Sequence, residues 1–559
     1  MLGVEMTLDF QKIRENVYQR HQPYQNLIPA TVSYQTQGYI LLIGPEDSAR
    51  LASALLSNQY KVTILATEAI TNQDQAHLQQ AMDVSQHCQV YYGKLNSVKG
   101  FLGQFQVSVN QQQQDIELAR VAIRQPHFDL IIDLSRQPIL QQDLLPAGYF
   151  YVGAQQSTLQ QVVQDLPDFI GDFEKPRYAK INPQLCAHSN NDLIGCQRCL
   201  EVCPAEAISS VDFRIEIDPY LCHGSGSCAS VCPTSAIEYD LPPPMPLQTY
   251  IQNVVADYIQ HTKIKPVLLF HAQQHQSATL TKQLPSHILP IAVEEIGVVG
   301  AEHCLAAIAW GAARVLIVNS EAEMVSVTEA LQRQVNLVNE LLLNLSLNNC
   351  IEVIDSNALC NDNNIANLAA YVYQDEVINA LAIADFGADN KRQLFFAALD
   401  HINHQTLQLE RVIEVKHSSF GTITVDNDCT LCMACVSACP TSALVAGNDT
   451  PSLSIVEQNC VQCGLCQQSC PEKVINLQGQ INLQHQQRRQ AQLLQQEPAF
   501  HCISCGKPFA TESMVKRMLT MLSEHDAFKG QSQRLKMCGD CRVRDMVKDV
   551  IDDPNKQLR

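Results

Sequence analysis

Apolar and polar positions change period several times along the 559 residues. "YILLIG" (Tyr39–Gly44) is an unbroken apolar run. A helix-period stretch, "SARLASALLS", follows, and then a second run, "KVTILAT"; "FDLIIDLS" (Phe128–Ser135) is a third. Apolar runs of strand length that alternate with helical stretches predict a parallel sheet, here over 1–175. Between 176 and 240 the pattern breaks into short pieces punctuated by cysteines. "LPPPMP" (Leu241–Pro246) is a stiff spacer. The α/β pattern returns over 247–410, where "PVLLF", "ARVLIV" and "IEVID" read as buried strands. A second cysteine-rich stretch covers 411–482. The Gln-rich segment from Gln484 to Pro498 reads as a helical connector, and a small module occupies 499–559. The chain thus carries an internal duplication.

The turn after the first strand is "GPED". It lacks the G-x-G-x-x-G that lets a backbone approach a pyrophosphate, so this layer reads as structural. Composition narrows the class further. The formal net charge of −19 argues against nucleic acid or an anionic membrane as the main partner. The start, "MLGVEMTLDF", lacks a basic region and an apolar core, and a cytoplasmic location is expected. The most apolar window, "IGVVGAEHCLAAIAWGAARVLIV", holds Glu302, His303 and Arg314. It reads as a buried helix and strand, with no membrane span expected. Such a chain has no use for 23 cysteines as disulfides, so they point to metal or redox chemistry. No C-x-x-C pair is followed by His, which excludes c-type haem attachment.

"DCTLCMACVSACP" places Cys429, Cys432, Cys435 and Cys439 before a proline, and "CVQCGLCQQSCP" repeats the spacing at Cys460, Cys463, Cys466 and Cys470. Zinc sites are built from separated C-x-x-C pairs, not from runs of four with a trailing proline. The motifs resemble those of bacterial two-cluster [4Fe–4S] ferredoxins. There the first three cysteines wrap one cube and the fourth crosses to the other. The resemblance implies one cluster on Cys429, Cys432, Cys435 and Cys470, and another on Cys460, Cys463, Cys466 and Cys439. Upstream, "CAHSNNDLIGCQRCLEVCP" and "CHGSGSCASVCP" are modified copies. By the same crossing, Cys186, Cys196, Cys199 and Cys232 would hold one cluster, with Cys186 displaced by nine intervening residues. Cys222, Cys228 and Cys203 would hold the other. Ser225 stands where that motif's second cysteine belongs. The site could carry a [3Fe–4S] cluster, a cube completed by Ser225, His223 or water, or nothing.

Two further pairs, Cys502/Cys505 and Cys538/Cys541, are separated by a mostly helical insert. Four thiolates from two knuckles suit tetrahedral zinc, and a fifth [4Fe–4S] cluster is chemically possible. Lys507, Lys516, Arg517, Lys536, Arg542 and Arg544 make this end basic: a solvated surface, or a dock for an acidic partner. Cys88, Cys304, Cys350 and Cys360 are isolated and read as buried apolar side chains; of these only His303–Cys304 invites a check for ligation.

The predicted fold class is multidomain α/β plus α+β: two α/β layers alternating with two bacterial ferredoxin-like modules and a small C-terminal metal-knuckle module. The arrangement resembles polyferredoxin-like proteins that accompany proteobacterial formate dehydrogenases. The middle layer is similar to the small subunit of methyl-viologen-reducing hydrogenase. These resemblances imply an electron-transfer protein that relays single electrons through three or four clusters between a redox enzyme and a carrier, with redox proteins as partners. No nucleophile–base motif marks a catalytic residue. A flavin- or nicotinamide-dependent oxidoreductase subunit and a metalloenzyme assembly scaffold are the alternatives.

Overall fold

The computed structural model describes residues 9–23, 28–68, 79, 82–83, 85–111, 114–153, 156–273, 284–320, 324–348, 350–359, 365, 368, 383–416, 418–447, 450–522, 525 and 530–552. Its first sheet has five parallel strands, in the order Gln89–Tyr92, Lys61–Glu68, Tyr39–Pro45, Leu130–Asp133 and Tyr149–Tyr151. Ile40, Leu42 and Ile64 pack on one face with Leu56 of the Glu46–Leu56 helix. Leu41, Ile43 and Leu65 pack on the other with Val107 and Val109, which belong to a three-stranded antiparallel sheet. Burial on both faces is why the run "YILLI" has no polar position. Gly44 (φ +153°) serves close packing: a Cβ there would lie 2.8 Å from the Leu134 Cβ.

The middle sheet is also parallel, in the order Ile288–Val293, Val267–Ala272, Arg314–Asn319 and Ile351–Asp355. Helices Pro244–Thr262, Ala301–Ala309, Val325–Asn344 and Lys391–Gln405 contribute to the same core. Each large apolar side chain buried there contributes roughly 1.5–3 kcal/mol. The core does not stop at the layer: Phe420 and Ile481 of the second cysteine module belong to it, and Phe420 stacks on Phe395 at 4.3 Å between centroids. The first helix, Phe10–Arg20, joins the same body and not the sheet that follows it in sequence. Val17 enters the middle core, and the buried Arg14 guanidinium donates to the carbonyls of Pro285 (2.6 Å), Ile288 (2.9 Å) and Leu284 (3.1 Å).

The segment read as a helical connector behaves otherwise. Only His485–Arg489 is helical, while Gln492–Gln496 pairs antiparallel with Ser452–Ile455. That pairing covers the edge of a two-stranded hairpin, whose N–H and C=O groups outweigh local helix preference. Among the described residues, no helix is long and apolar enough to cross a membrane.

Arg488 locks the second cysteine module to the middle layer. Its side chain is fully buried, donates to both Asp400 carboxylate oxygens (2.6 and 2.8 Å) and to the Asn482 carbonyl (2.7 Å), and lies 4.3 Å from the Phe396 ring centroid. Removing one partner of a buried pair leaves the other charge uncompensated. Arg488→Met should therefore cost about 3 kcal/mol in denaturant unfolding, and adding Asp400→Asn should recover part of the loss. A double variant no better than the single one would refute this account of the pair.

Candidate functional site

In the downstream module, left-handed residues reverse the chain at each C-x-x-C loop: Leu431 (φ 51°), Met433 (φ 61°), Gln462 (φ 54°) and Gly464 (φ 83°). Short helices, Ala434–Ala438 and Leu465–Ser469, then start and contact each other. Cys429, Cys432, Cys435 and Cys470 line one cavity, walled by Leu431, Met433, Leu453, Val474 and Ile475. Cys439 lies instead with Cys460, Cys463 and Cys466, close enough for their charges to interact. Burial first, then neighbouring cysteines, push the thiol of Cys463 up to about 11 and those of Cys435 and Cys466 to about 12.

In the upstream module, Cys186 lies with Cys196, Cys199 and Cys232. The nine intervening residues fold as a tight hairpin, Ser189–Asn190 against Leu193–Ile194, with Asn191 and Asp192 at positive φ. The Cys196 N–H donates to the Ala187 carbonyl (3.0 Å), so the insertion returns the chain to where it left. His188 pins the hairpin through the Cys196 carbonyl (2.9 Å) and Ser210 Oγ (2.7 Å). Cys203, Cys222 and Cys228 line a separate cavity together with His223 and Ser225. His223 Nε2 is buried and has no hydrogen-bond partner. Burial, aided by the charge of Lys175, lowers the His223 pKa to about 4, which keeps the ring neutral.

The sites follow one another in space. Cys228 feels the charge of Cys199 and Cys232, Cys463 that of Cys196, and Cys466 that of Cys435. The middle link crosses between modules, and the insertion hairpin makes it. The Ile194 carbonyl accepts from Gln468 Nε2 (2.7 Å), Asn190 Nδ2 donates to the Ser437 carbonyl (3.1 Å), and a Cβ on Gly195 would meet Leu465 at 2.8 Å. Arg198 spans the same junction, with Nη2 on the Ser418 carbonyl (2.8 Å) and Nη1 3.8 Å from Cys196 Sγ. Two adjacent cations of the middle layer hold both modules. The Lys391 ammonium donates to the carbonyls of Ala229 and Ser230. Arg392 donates to those of Gln458 (2.7 Å), Ser419 (3.0 Å) and Cys460 (2.7 Å). Sequence spacing does not reveal this docking; the one signal was the polar insertion after Cys186.

At the C-terminal end, the ligand atoms of Cys502, Cys505, Cys538 and Cys541 all lie within 4.8 Å of one another, and Cys505 Sγ is 3.8 Å from Cys538 Sγ. Four sulfurs at a metal–sulfur distance of about 2.3 Å stand about 3.8 Å apart in a tetrahedron, so the group fits a single ion. Among the described residues, no other His/Cys/Asp/Glu group comes this close, the ferredoxin-type cysteines included. The module rests on the Cys429 cavity: Thr511 Oγ1 donates to the Thr430 carbonyl (2.9 Å), and Arg517 pairs with Glu472 (2.8 Å). Arg542 is likewise engaged internally, by the Arg534 and Met537 carbonyls. Cys304 and Cys350 are buried in the middle core and Cys88 packs beside the first sheet; Cys360 lies outside the described residues. His303 lines a different cavity from any cysteine set.

Paired C-x-x-C loops that exchange their last cysteines, beside short hairpins, define an iron–sulfur protein of ferredoxin type. The 4Fe-4S dicluster domain model matches residues 194–236 and 428–474. Ferredoxin 7Fe of Hydrogenibacillus schlegelii is 41% identical over 55 residues, which are 10% of this chain and 70% of that protein. A component of the ion-translocating oxidoreductase complex of Methanosarcina acetivorans is 47% identical over 45 residues, 8% of this chain. The chain spans only 17% of that relative's length. Through its cysteine modules the chain belongs to the 4Fe-4S dicluster ferredoxin family.

The C-terminal thiols differ in acidity. Burial works against ionising Cys502, but hydrogen bonds around Cys538, Cys505 and Ser504 outweigh it and bring the thiol down to about 6. Ser504 favours the Cys541 thiolate, but hydrogen bonds with Cys505 and Cys538, with burial, together outweigh it and hold this thiol above its ordinary value. A divalent ion must displace the Cys541 proton and, above pH of about 6, displaces none from Cys502. Apparent metal affinity should therefore rise about tenfold or more per pH unit between roughly pH 7 and 9. Competition with a chromogenic chelator measures it; a flat profile would contradict the assignment, and Cys502→Ser should abolish binding.

Proposed function

We propose that the chain is an electron-transfer protein whose four cysteine-lined sites form one relay across both modules. The observation that carries this reading is the unbroken order of neighbours, from Cys228 to Cys199 and Cys232, from Cys196 to Cys463, and from Cys466 to Cys435. In this reading Cys203, Cys222 and Cys228 hold the first cluster, and Cys186, Cys196, Cys199 and Cys232 the second. The third sits on Cys439, Cys460, Cys463 and Cys466, and the fourth on Cys429, Cys432, Cys435 and Cys470. The residues fit such a group. Four cysteines converge on one cavity with apolar walls, and burial raises the pKa of Cys429 and Cys435, so these two thiols ionise only against a metal. Each cluster, when bound, takes up and passes on one electron.

The chain's own residues do the rest. Apolar walls keep water from the sulfurs. Arg198 places a cation at the junction of the second and third sites, where two anionic groups would repel. Lys391 and Arg392 fix the two modules on one helix. At the first site the unpartnered Nε2 of His223 supports a cube completed by that nitrogen. The name of the Hydrogenibacillus relative, a seven-iron ferredoxin, favours a second reading with three irons there. At the C-terminal thiols, the 3.8 Å sulfur separation supports zinc. The partners are a redox enzyme and a carrier at opposite ends of the relay. An oxidoreductase of the formate dehydrogenase kind is the first to try, on the resemblance of the cysteine motifs.

Cys463→Ala should lower iron by about four atoms per chain. In fully reduced wild type, paramagnetic resonance should show magnetic coupling between clusters of different modules, and the variant should lose it. Unchanged iron, or no coupling between modules in the wild type, would sink the relay.

The first site has its own check. If His223 completes the cube, His223→Ala should remove about one iron and expose the signal of an oxidised [3Fe–4S] cluster. A wild type that already shows that signal, unaltered in His223→Ala, establishes the three-iron site.

A further inference from the structure

Behind the upstream module lies a cavity of about 240 Å³ in which no cysteine takes part. It exceeds the engineered cavity of about 150 Å³ that admits benzene, and its largely apolar walls carry a few polar groups. Three buried side-chain atoms without a hydrogen-bond partner belong to residues that line it: Ser235 Oγ, Gln248 Oε1 and His303 Nε2. The residues are 7%, 4% and 5% exposed and come from three separate segments. A buried polar group without a partner costs roughly 1–3 kcal/mol, so three around one space mark a place built for something that supplies the bonds.

Their chemistry specifies it. The Gly300 N–H donates to His303 Nδ1 (3.2 Å), so the ring proton sits on Nε2 and that atom is a donor. The Lys391 ammonium lines the cavity and spends two of its three N–H groups on Ala229 and Ser230. The helices Pro244–Thr262, Ala301–Ala309 and Lys391–Gln405 all begin at its wall, each adding the partial positive charge of a helix N-terminus. These groups call for a carboxylate. The same walls carry acceptors: Gln248 Oε1, which a bare carboxylate would leave unmet, and the buried carboxylate of Glu302, 3.6 Å from His303 Nδ1. Lys180 also lines the cavity, but its charge is taken up by Glu238, another wall residue, and by Asp240; Asp389 completes the charged wall.

We propose that this cavity binds a small carboxylate that carries its own hydrogen-bond donor, a hydroxyl or an ammonium, on a neighbouring carbon. Lys391, His303 Nε2 and Ser235 receive the carboxylate; Gln248 Oε1 and Glu302 receive the donor. The site stands whether or not the cysteine sites form a relay. Its wall residues Ala229 and Ser230 lie between Cys228 and Cys232, so an occupant sits directly behind the upstream module.

Lactate, alanine and propionate share a three-carbon frame and differ only in that donor. Calorimetric titration of the full iron-loaded chain should show saturable binding of lactate or alanine, at least about tenfold tighter than propionate. Lactate alone identifies a hydroxy acid as the class, alanine alone an amino acid. Lys391→Met should weaken the favoured ligand by tenfold or more. Because Lys391 also holds the upstream module, Gln248→Leu is the decisive second variant. It should bring the favoured ligand down to the level of propionate and leave propionate binding, the iron–sulfur absorbance and the melting temperature as in the wild type. No saturable binding of any of the three, propionate equal to the others, or a Gln248→Leu variant that keeps the preference would overturn the proposal.

Discussion

Two neighbouring cations at the start of one helix determine where everything else sits. Lys391 reaches the carbonyls of Ala229 and Ser230, and Arg392 those of Gln458, Ser419 and Cys460. Taking the Arg392 guanidinium largely out of water is costly. Desolvation lowers its pKa to about 10, although the nearby Cys460 opposes the shift. Three carbonyl acceptors and the faces of Phe396 and Phe420 offset that cost. Neither cysteine module could turn relative to the other without breaking one of these sets of bonds. The α/β layer is thus a clamp, and the core it shares with Phe420 and Ile481 stiffens it further.

The clamp matters because a cysteine site is only as useful as its neighbours. Each module by itself is a compact two-site unit. The contact between Cys196 and Cys463 turns two units into one sequence of sites, and the hairpin after Cys186 makes that contact through Ile194, Gly195 and Asn190. An insertion that reads as a tolerated bulge is therefore a docking surface. Burial of the thiols sets a second condition. Cys199, Cys435 and Cys466 are pushed to about 12, so without metal these nests hold neutral thiols. Assembly must expel protons as it proceeds.

Much of the chemistry was legible in the chain. Runs of C-x-x-C-x-x-C with a trailing proline specify thiolate number and spacing, and local sequence suffices because each loop closes within about ten residues. The apolar runs at Tyr39, Val267 and Arg314 are strands for the same local reason: a two-sided buried strand cannot tolerate a polar position at its centre. Ser225 was equally visible as a departure and His223 as a candidate ligand beside it, but that the His223 ring is neutral and its Nε2 unpartnered was not. Its state depends on burial by segments distant in sequence.

By itself, then, the sequence determined how the cysteines are spaced and which of them fall into runs. Tertiary structure alone decided how these pieces meet. Phe10–Arg20 deserts the sheet next to it because Arg14 finds three carbonyls some 270 residues away. Gln492–Gln496 becomes a strand because the Ser452–Ile455 edge needs a partner. Ser235, Gln248 and His303 face one cavity only once three helix starts converge. In each case the deciding free energy comes from satisfying buried polar groups across long sequence separations, and no window of local sequence records that.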